Sequence, residues 1–220
     1  MLQREIDASP LEPSPALGYM HMVVWPVAPD EGILSRAAPR LDPAAGQPQR
    51  ALDNLLARAA SADFLRPGLQ GSPQYGAEQQ YVFEVQIDAD GTGHLLAGRA
   101  AAELRGQLVV MEDSVATHAA RFLYAMALLY EEAGYYGAVE AAVAVTGIRG
   151  ALSAHLAQRF QSTRALSQPY ARDDFRRGAR FPQQVLVSEP VACAKELVQP
   201  LLDATTQGRI DVFGELSGAP

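Results

Sequence analysis

Arg159, Arg164, Arg172, Arg176, Arg177 and Arg180 fall within one short stretch, with Tyr170, Phe175 and Phe181 between them. A guanidinium is a planar fork of donors that fits phosphate and carboxylate, and an aromatic ring offers a base a stacking face. Arginine interleaved with aromatics is therefore the composition of a phosphate or nucleic-acid contact. Asp173 and Asp174 lie in the same stretch, and a loop whose arginines pair with its own acids has the same composition. In a chain of net charge −7 the internal pairing is the favoured reading. Just upstream, Gly147-Ile148-Arg149-Gly150 can turn backbone amides and an arginine toward an anion. The same residues also make a tight turn with a solvated arginine, and that reading is preferred. The candidate anion or nucleic-acid set is thus Arg149, Arg172, Arg176, Arg177 and Arg180.

Other chemistries find less to work with. His21, His94, His118 and His155 show no HxH or HxxxH spacing, and none neighbours a cysteine. A structural zinc site needs four clustered ligands, so no metal is expected. The one cysteine, Cys193, excludes an internal disulfide. It lies in a helical pattern and reads as a buried small apolar residue. There is no GxSxG elbow, no GxxxxGK[ST] loop and no GxGxxG after a strand. The adjacent acids Glu131 and Glu132 point about 100° apart on a helix, which does not suit a cooperating pair. His118, four residues before Phe122, reads as a boundary histidine with a satisfied hydrogen bond. No catalytic residue and no cofactor are assigned.

The elements that must position these groups follow from composition and periodicity. A chain of 220 residues buries roughly 70% of its unfolded surface, enough for a core without a staple. The N-terminus lacks an apolar signal region, and Glu131, Glu132 and Glu140 interrupt the best membrane candidate. A cytoplasmic location and no membrane partner are expected. A single lysine, Lys195, against many arginines and alanines suggests a GC-rich, bacterial genome. The acidic net charge excludes a surface that tracks nucleic-acid phosphates throughout.

The most ordered pattern is Ser114–Gly150. Val115, Ala119, Phe122, Leu123, Met126, Leu129, Tyr130 and Ala133 keep a helical period, with Asp113 or Ser114 as cap and Gly134 as stop. Ala138–Ile148 then reads as a strand apolar on both faces. Tyr19–Val27 is β-rich and ends at Pro26, which suits an edge or terminal strand. Helices are expected over Asp30–Ala37, capped by Asp30, and over Gln49–Ala60, with loops at Pro39–Pro48 and Phe64–Gly76. Gln79–Ile87 and His94–Gly98 form a hairpin around Asp88-Ala89-Asp90-Gly91, and Leu108–Met111 adds a third strand to the same antiparallel sheet. Ala151–Phe160 fits a strand or a short helix, and Gln161–Arg180 is loop-like. Ser188-Glu189-Pro190 starts a last long helix, which Pro200 should kink or break. Ile210, Val212 and Phe213 should dock on some surface.

Three segments resemble a known family: Glu131–Gly150 (EEAGYYGAVEAAVAVTGIRG), Tyr170–Arg180 (YARDDFRRGAR) and the helix Val191–Leu202. They are similar to the C-terminal region of actinobacterial proteins that carry an N-terminal Schlafen/AlbA-type DNA-binding (or ATP-binding) domain. That domain has no counterpart here, so no functional residue carries over. The resemblance implies an accessory or regulatory module working beside a partner.

The sequence therefore predicts an α+β fold, a mainly antiparallel sheet on two principal helices at about 114–133 and 189–205. Residues 1–17 are read as a flexible arm, 18–208 as one domain and 209–220 as a tail. The expected function is a non-enzymatic binding or regulatory module, a homo-oligomer or one acting with a partner protein. Nucleic-acid or phospholigand binding through Arg159–Arg180 is the alternative, and an enzyme with a site assembled from distant residues is the second.

Overall fold

The structure is a computed structural model that describes residues 18–41, 48–61, 83–159 and 168–217. The chain opens with β1 (Met20–Pro26), α1 (Ile33–Leu41) and α2 (Pro48–Ser61). The strands β2 (Phe83–Ile87), β3 (Gly93–Ala97), β4 (Ala101–Leu104) and β5 (Gln107–Val110) precede the long helix α3 (Glu112–Ala133). Then come β6 (Ala138–Thr146), β7 (Leu152–Ser153), α4 (Ala154–Arg159) and β8 (Asp174–Pro182). The chain closes with α5 (Gln183–Ser188), α6 (Pro190–Thr206) and α7 (Val212–Ser217). This is an α+β fold. Its main sheet is antiparallel throughout, in the order β2-β3-β1-β6-β8, and β4, β5 and β7 make a second, smaller sheet. Among the described residues no helix is long and apolar enough to cross a membrane.

β1 is a central strand, not the edge strand that Pro26 suggested. Thr146 donates its N–H to the Tyr19 carbonyl and Val27 donates to Ala138. With the register Met20↔Val145 to Pro26↔Val139, odd-numbered residues of β1 bond to β6 and even-numbered ones face β3. β3 reaches only to Gly93, opposite Val24. The missing N–H of Pro26 therefore points past the end of β3, and no ladder bond is lost. The strand expected at 108–111 also lies elsewhere. It is β5, paired to β4 in a separate sheet, because Arg105 and Gly106 both adopt positive φ (53° and 75°) and close a two-residue hairpin. An arginine in that conformation hides the turn from composition.

One face of the main sheet carries α3. The helix is buried well beyond a single stripe: Ala116, Ala120, Ala125, Ala127 and Leu128 are buried along with the periodic apolar set. The small side chains allow helices to approach its flanks while its large ones meet the sheet. The Tyr130 hydroxyl, fully buried, donates to the Gly91 carbonyl in the β2–β3 turn at 2.9 Å. Gly91 holds φ +86°, and a Cβ there would overlap the Ile33 side chain. Neither Asp113 nor Ser114 caps α3; the N-cap residue is Met111, with no side-chain cap. Gly134 closes the helix in the left-handed conformation at φ 71°. Arg36 and Arg40 of α1 donate to the Ala133 and Glu132 carbonyls there.

α6 runs unbroken from Pro190 through Pro200 to Thr206. Pro190 occupies the first turn, where its missing N–H is not needed. Pro200 has no N–H for the Glu196 carbonyl four residues back. That carbonyl accepts the Nε–H of Arg177 instead, at 2.6 Å. The expected break at Pro200 is thus absent because a side chain from β8 takes the place of the lost backbone donor. Ile210, Val212 and Phe213 dock within the chain's own core, with Leu216, so the segment read as a tail belongs to the domain. The loops expected around 64–76 and the arm at 1–17 lie outside the described residues.

The Arg177–Pro200 relation predicts coupled stabilities. Arg177→Ala is expected to cost about 1 kcal/mol by leaving the Glu196 carbonyl without its donor. In a Pro200→Ala background the helix supplies its own N–H, and the cost should fall by about half or more. Urea unfolding of the four proteins of this cycle measures it; strictly additive changes would show the two residues to be independent.

Candidate functional site

The stretch read as an arginine-rich loop is, from Asp174 onward, the edge strand β8. Alternation in a strand sends neighbouring side chains to opposite faces, so Arg176 and Arg177 part company. Arg176 pairs with Asp174 (Nε to Oδ2, 2.5 Å). Arg177 lies on the helix side and reaches Glu196. Arg180 shares the face of Arg176 and stands in register with Glu140 of β6. Arg149 forks onto Asp173, Nε to Oδ1 at 2.6 Å and Nη2 to Oδ2 at 2.9 Å, with both side chains more than two-thirds exposed. Arg172 is exposed near Tyr170; partial burial raises the Tyr170 phenol while Arg172 pulls it the other way. Arg159 ends α4, and Arg164 lies outside the described residues. The five candidate arginines therefore do not converge on one concave surface.

The glycine-flanked turn after β6 is also occupied by its own chain. Gly147 and Gly150 take positive φ (68° and 79°). The amides that an anion would need are engaged: Ile148 donates to the Asp173 carbonyl and Gly150 to the Tyr170 carbonyl, at 3.1 and 2.8 Å. The turn anchors the entry to β8.

A polar cluster that spacing did not reveal sits a few residues further along the chain, around the start of α4. Glu112, the first residue of α3, is fully buried. Its Oε2 accepts the N–H groups of Ala154 and His155 at 3.0 and 3.4 Å, and its Oε1 lies 3.3 Å from the Thr205 hydroxyl. Burial pushes the Glu112 carboxyl up, and hydrogen bonding to Ser153 and to backbone partly offsets that. The His155 Nε2 is 2.6 Å from Asp113 and its Nδ1 3.5 Å from Glu215. Burial pulls the His155 imidazole down, but the Asp113 hydrogen bond and the charges of Asp113, Glu112 and Glu215 raise it on balance. Ser153 accepts the Leu156 N–H as cap of α4. A Ser, a His and three carboxylates in one place look like a nucleophilic constellation. Ser153 and Glu112 are both without solvent exposure, and each is spent on capping α4, so the arrangement ties elements together. The only sequence signal was the acidic pair at the start of α3, on its own uninformative.

The remaining titratable groups are placed as follows. Cys193 is buried, 3.9 Å from the Val185 carbonyl, and burial ahead of Glu196 and Glu189 pushes its thiol up to about 11. His94 Nε2 lies 3.2 Å from Asp88, and Gln86 donates to the same carboxylate. His21 is buried in the adjacent strand β1. Burial, with Arg121 second, lowers His118 to about 4. Among the described residues no group of three or more His, Cys, Asp or Glu could hold a metal ion.

His118 and His155 oppose each other in pH. The depressed His118 contributes stability that is complete above its unfolded value of 6.5 and is lost as pH falls toward 4. At about 1.4 kcal/mol per tenfold change, this limb is worth roughly 3.5 kcal/mol at most. The raised His155 contributes stability that is complete below 6.5 and is lost as pH climbs through its folded value. Denaturant unfolding across pH 4 to 8 (about the range both histidines span) should show His118→Gln flattening the acid limb and His155→Gln the neutral-to-alkaline limb. Profiles that merely shift downward in parallel would contradict both assignments.

Compared with known proteins, the chain matches no family model, no curated protein and no solved structure.

Proposed function

We propose that this chain is a non-enzymatic binding or regulatory module that acts by contact with a partner protein. The observation that carries this reading is the use of its charged side chains. Arg149, Arg176 and Arg177 are engaged by Asp173, Asp174 and the Glu196 carbonyl, and the Glu112–His155 cluster is enclosed in the fold. Three of the five candidate arginines and the buried Glu112–His155 cluster are thus spent on contacts within the chain. The likeness of 131–150, 170–180 and 191–202 to an accessory region of Schlafen/AlbA-type proteins supports the same reading. Self-association loses one motive, because Ile210, Val212 and Phe213 are covered by the chain itself.

Fluorescence anisotropy with labelled single- and double-stranded DNA and with RNA tests the rival directly. A nucleic-acid binder using these arginines would lose affinity steeply with salt, each phosphate contact adding roughly 0.7 to 0.9 to the slope of log K against log salt. The expected result is no binding at low salt, and no change on replacing Arg172, Arg176, Arg177 and Arg180 with alanine. Tight, salt-steep binding abolished by those replacements would overturn the proposal. Sedimentation over a concentration series separates a second copy from a different partner.

A further inference from the structure

We propose that the outer edge of β8 docks an extended acidic segment of a partner protein, which adds to the main sheet as a further strand. The proposal rests on reading the chain as a protein-binding module and assigns that module its surface. β8 ends the strand order and, among the described strands, pairs with β6 alone. Its hydrogen-bonding direction is set at one end, where Gln183 donates its N–H to the Gly137 carbonyl at 3.1 Å. The register continues without a bulge from Ala138↔Pro182 to Thr146↔Asp174. In an antiparallel pair, bonded and non-bonded positions alternate. Phe175, Arg177, Ala179 and Phe181 therefore bond to β6, while Asp174, Arg176, Gly178, Arg180 and Pro182 turn their backbone groups outward. Pro182, which has no N–H to give, falls in the outward set, as a strand proline must.

A nine-residue edge of this regularity is a template for another strand unless something blunts it. No bulge interrupts it, and its proline stands at the very end. Arg176, Arg177 and Arg180 are exposed, and Gly178 and Ala179 are partly so. What the edge carries is charge. Across Arg172–Arg180, four arginines face Asp173 and Asp174, a positive surplus on an acidic chain. Asp174 holds Arg176, Asp173 holds Arg149, and the Glu196 carbonyl holds Arg177. Arg180, opposite Glu140 in register, has no ion pair within 4.0 Å among the described residues.

This charge selects the occupant. Full antiparallel overlap of two copies of β8 would set Arg176 of each against Arg180 of the other, and directly opposed like charges destabilise a strand pair. A strand with carboxylates on the matching face meets the surplus instead. Backbone bonds then supply affinity, and the charged face supplies selection.

Amide hydrogen exchange by NMR tests this on the whole chain. The probe is a peptide of alternating threonine and valine, matched to the nine residues of β8, with two threonines replaced by glutamates on one face. A lysine-substituted twin is the control. In the free protein the amides of Arg177, Ala179 and Phe181 should exchange slowly, and those of Gly178 and Arg180 fast. The glutamate peptide should slow Gly178 and Arg180 and leave the others unchanged. Arg180→Ala keeps the outward N–H but loses the charge, and should weaken binding several-fold. Arg180→Pro also removes the N–H without touching the β6 ladder, and should weaken it about ten-fold or more. Retained protection at Ala179 and Phe181 shows that each variant is folded. Fast exchange at Gly178 and Arg180 at saturating peptide would overturn the edge assignment, as would equal binding of the lysine twin. Either result leaves the module reading standing on some other surface. Slow exchange at those amides without peptide, with a doubled mass, would give the edge to a second copy and overturn the acidic occupant. Binding of an oligonucleotide to the same amides would overturn both.

Discussion

The fold depends on a helix buried along its length whose two ends must still satisfy their backbone groups. α3 lies between the main sheet and most of the other helices, while Asp113 near its start and Glu131 and Gly134 at its end stand at the surface. At its C-terminal end Gly134 turns the chain, and Arg36 and Arg40 donate to the last carbonyls. At its first turn the acids Glu112 and Asp113 suit the positive end of the helix dipole. Glu112 goes further and accepts from the first amides of α4. A buried carboxylate is tolerable only when it is fully hydrogen-bonded. The same requirement brings α4, β7 and the end of α6 to one place, and the arrangement of the helical layer follows.

A second regularity is that most prolines in the helices and strands sit where their missing N–H does no damage. Pro26 points past the end of β3, Pro182 points off the sheet edge, and Pro190 opens a helix. Pro39 in α1 and Pro200 in α6 each remove a backbone bond, and at Pro200 Arg177 supplies the missing donor. One arginine of the candidate anion set thereby has a structural task. Positive charge on β8 is divided between one face, where Arg177 braces α6, and the opposite face, which carries Arg176 and Arg180.

Much of this was legible from residue spacing. The α3 and β6 segments, the start of α6 and the β2–β3 hairpin carry periodicities strong enough to survive tertiary context. What was not legible has physical causes. Pro26 argued for an edge because a sequence does not show how far the neighbouring strand extends. Arg105 concealed a hairpin by taking a conformation that glycine or asparagine usually marks. The alternation in Asp174–Pro182 was masked by charged residues on both faces of a strand at the sheet edge. The Glu112 cluster joins that residue to positions 42 and 93 residues further along the chain, and no local pattern announces such a contact.

The Glu112 contacts also bear on how the chain reaches its structure during synthesis. Domains emerge from the ribosome N-terminal end first, at roughly 5 to 20 residues per second. β1 occupies the middle of the sheet, yet its partner β6 is made more than a hundred residues later. The carboxylate of Glu112 stays without its full set of partners until Thr205 has been added. An emerging chain therefore holds an open central strand and an acidic helix start with nothing to close them. The polypeptide has no self-sufficient first half, and its core is completed only by its last helices.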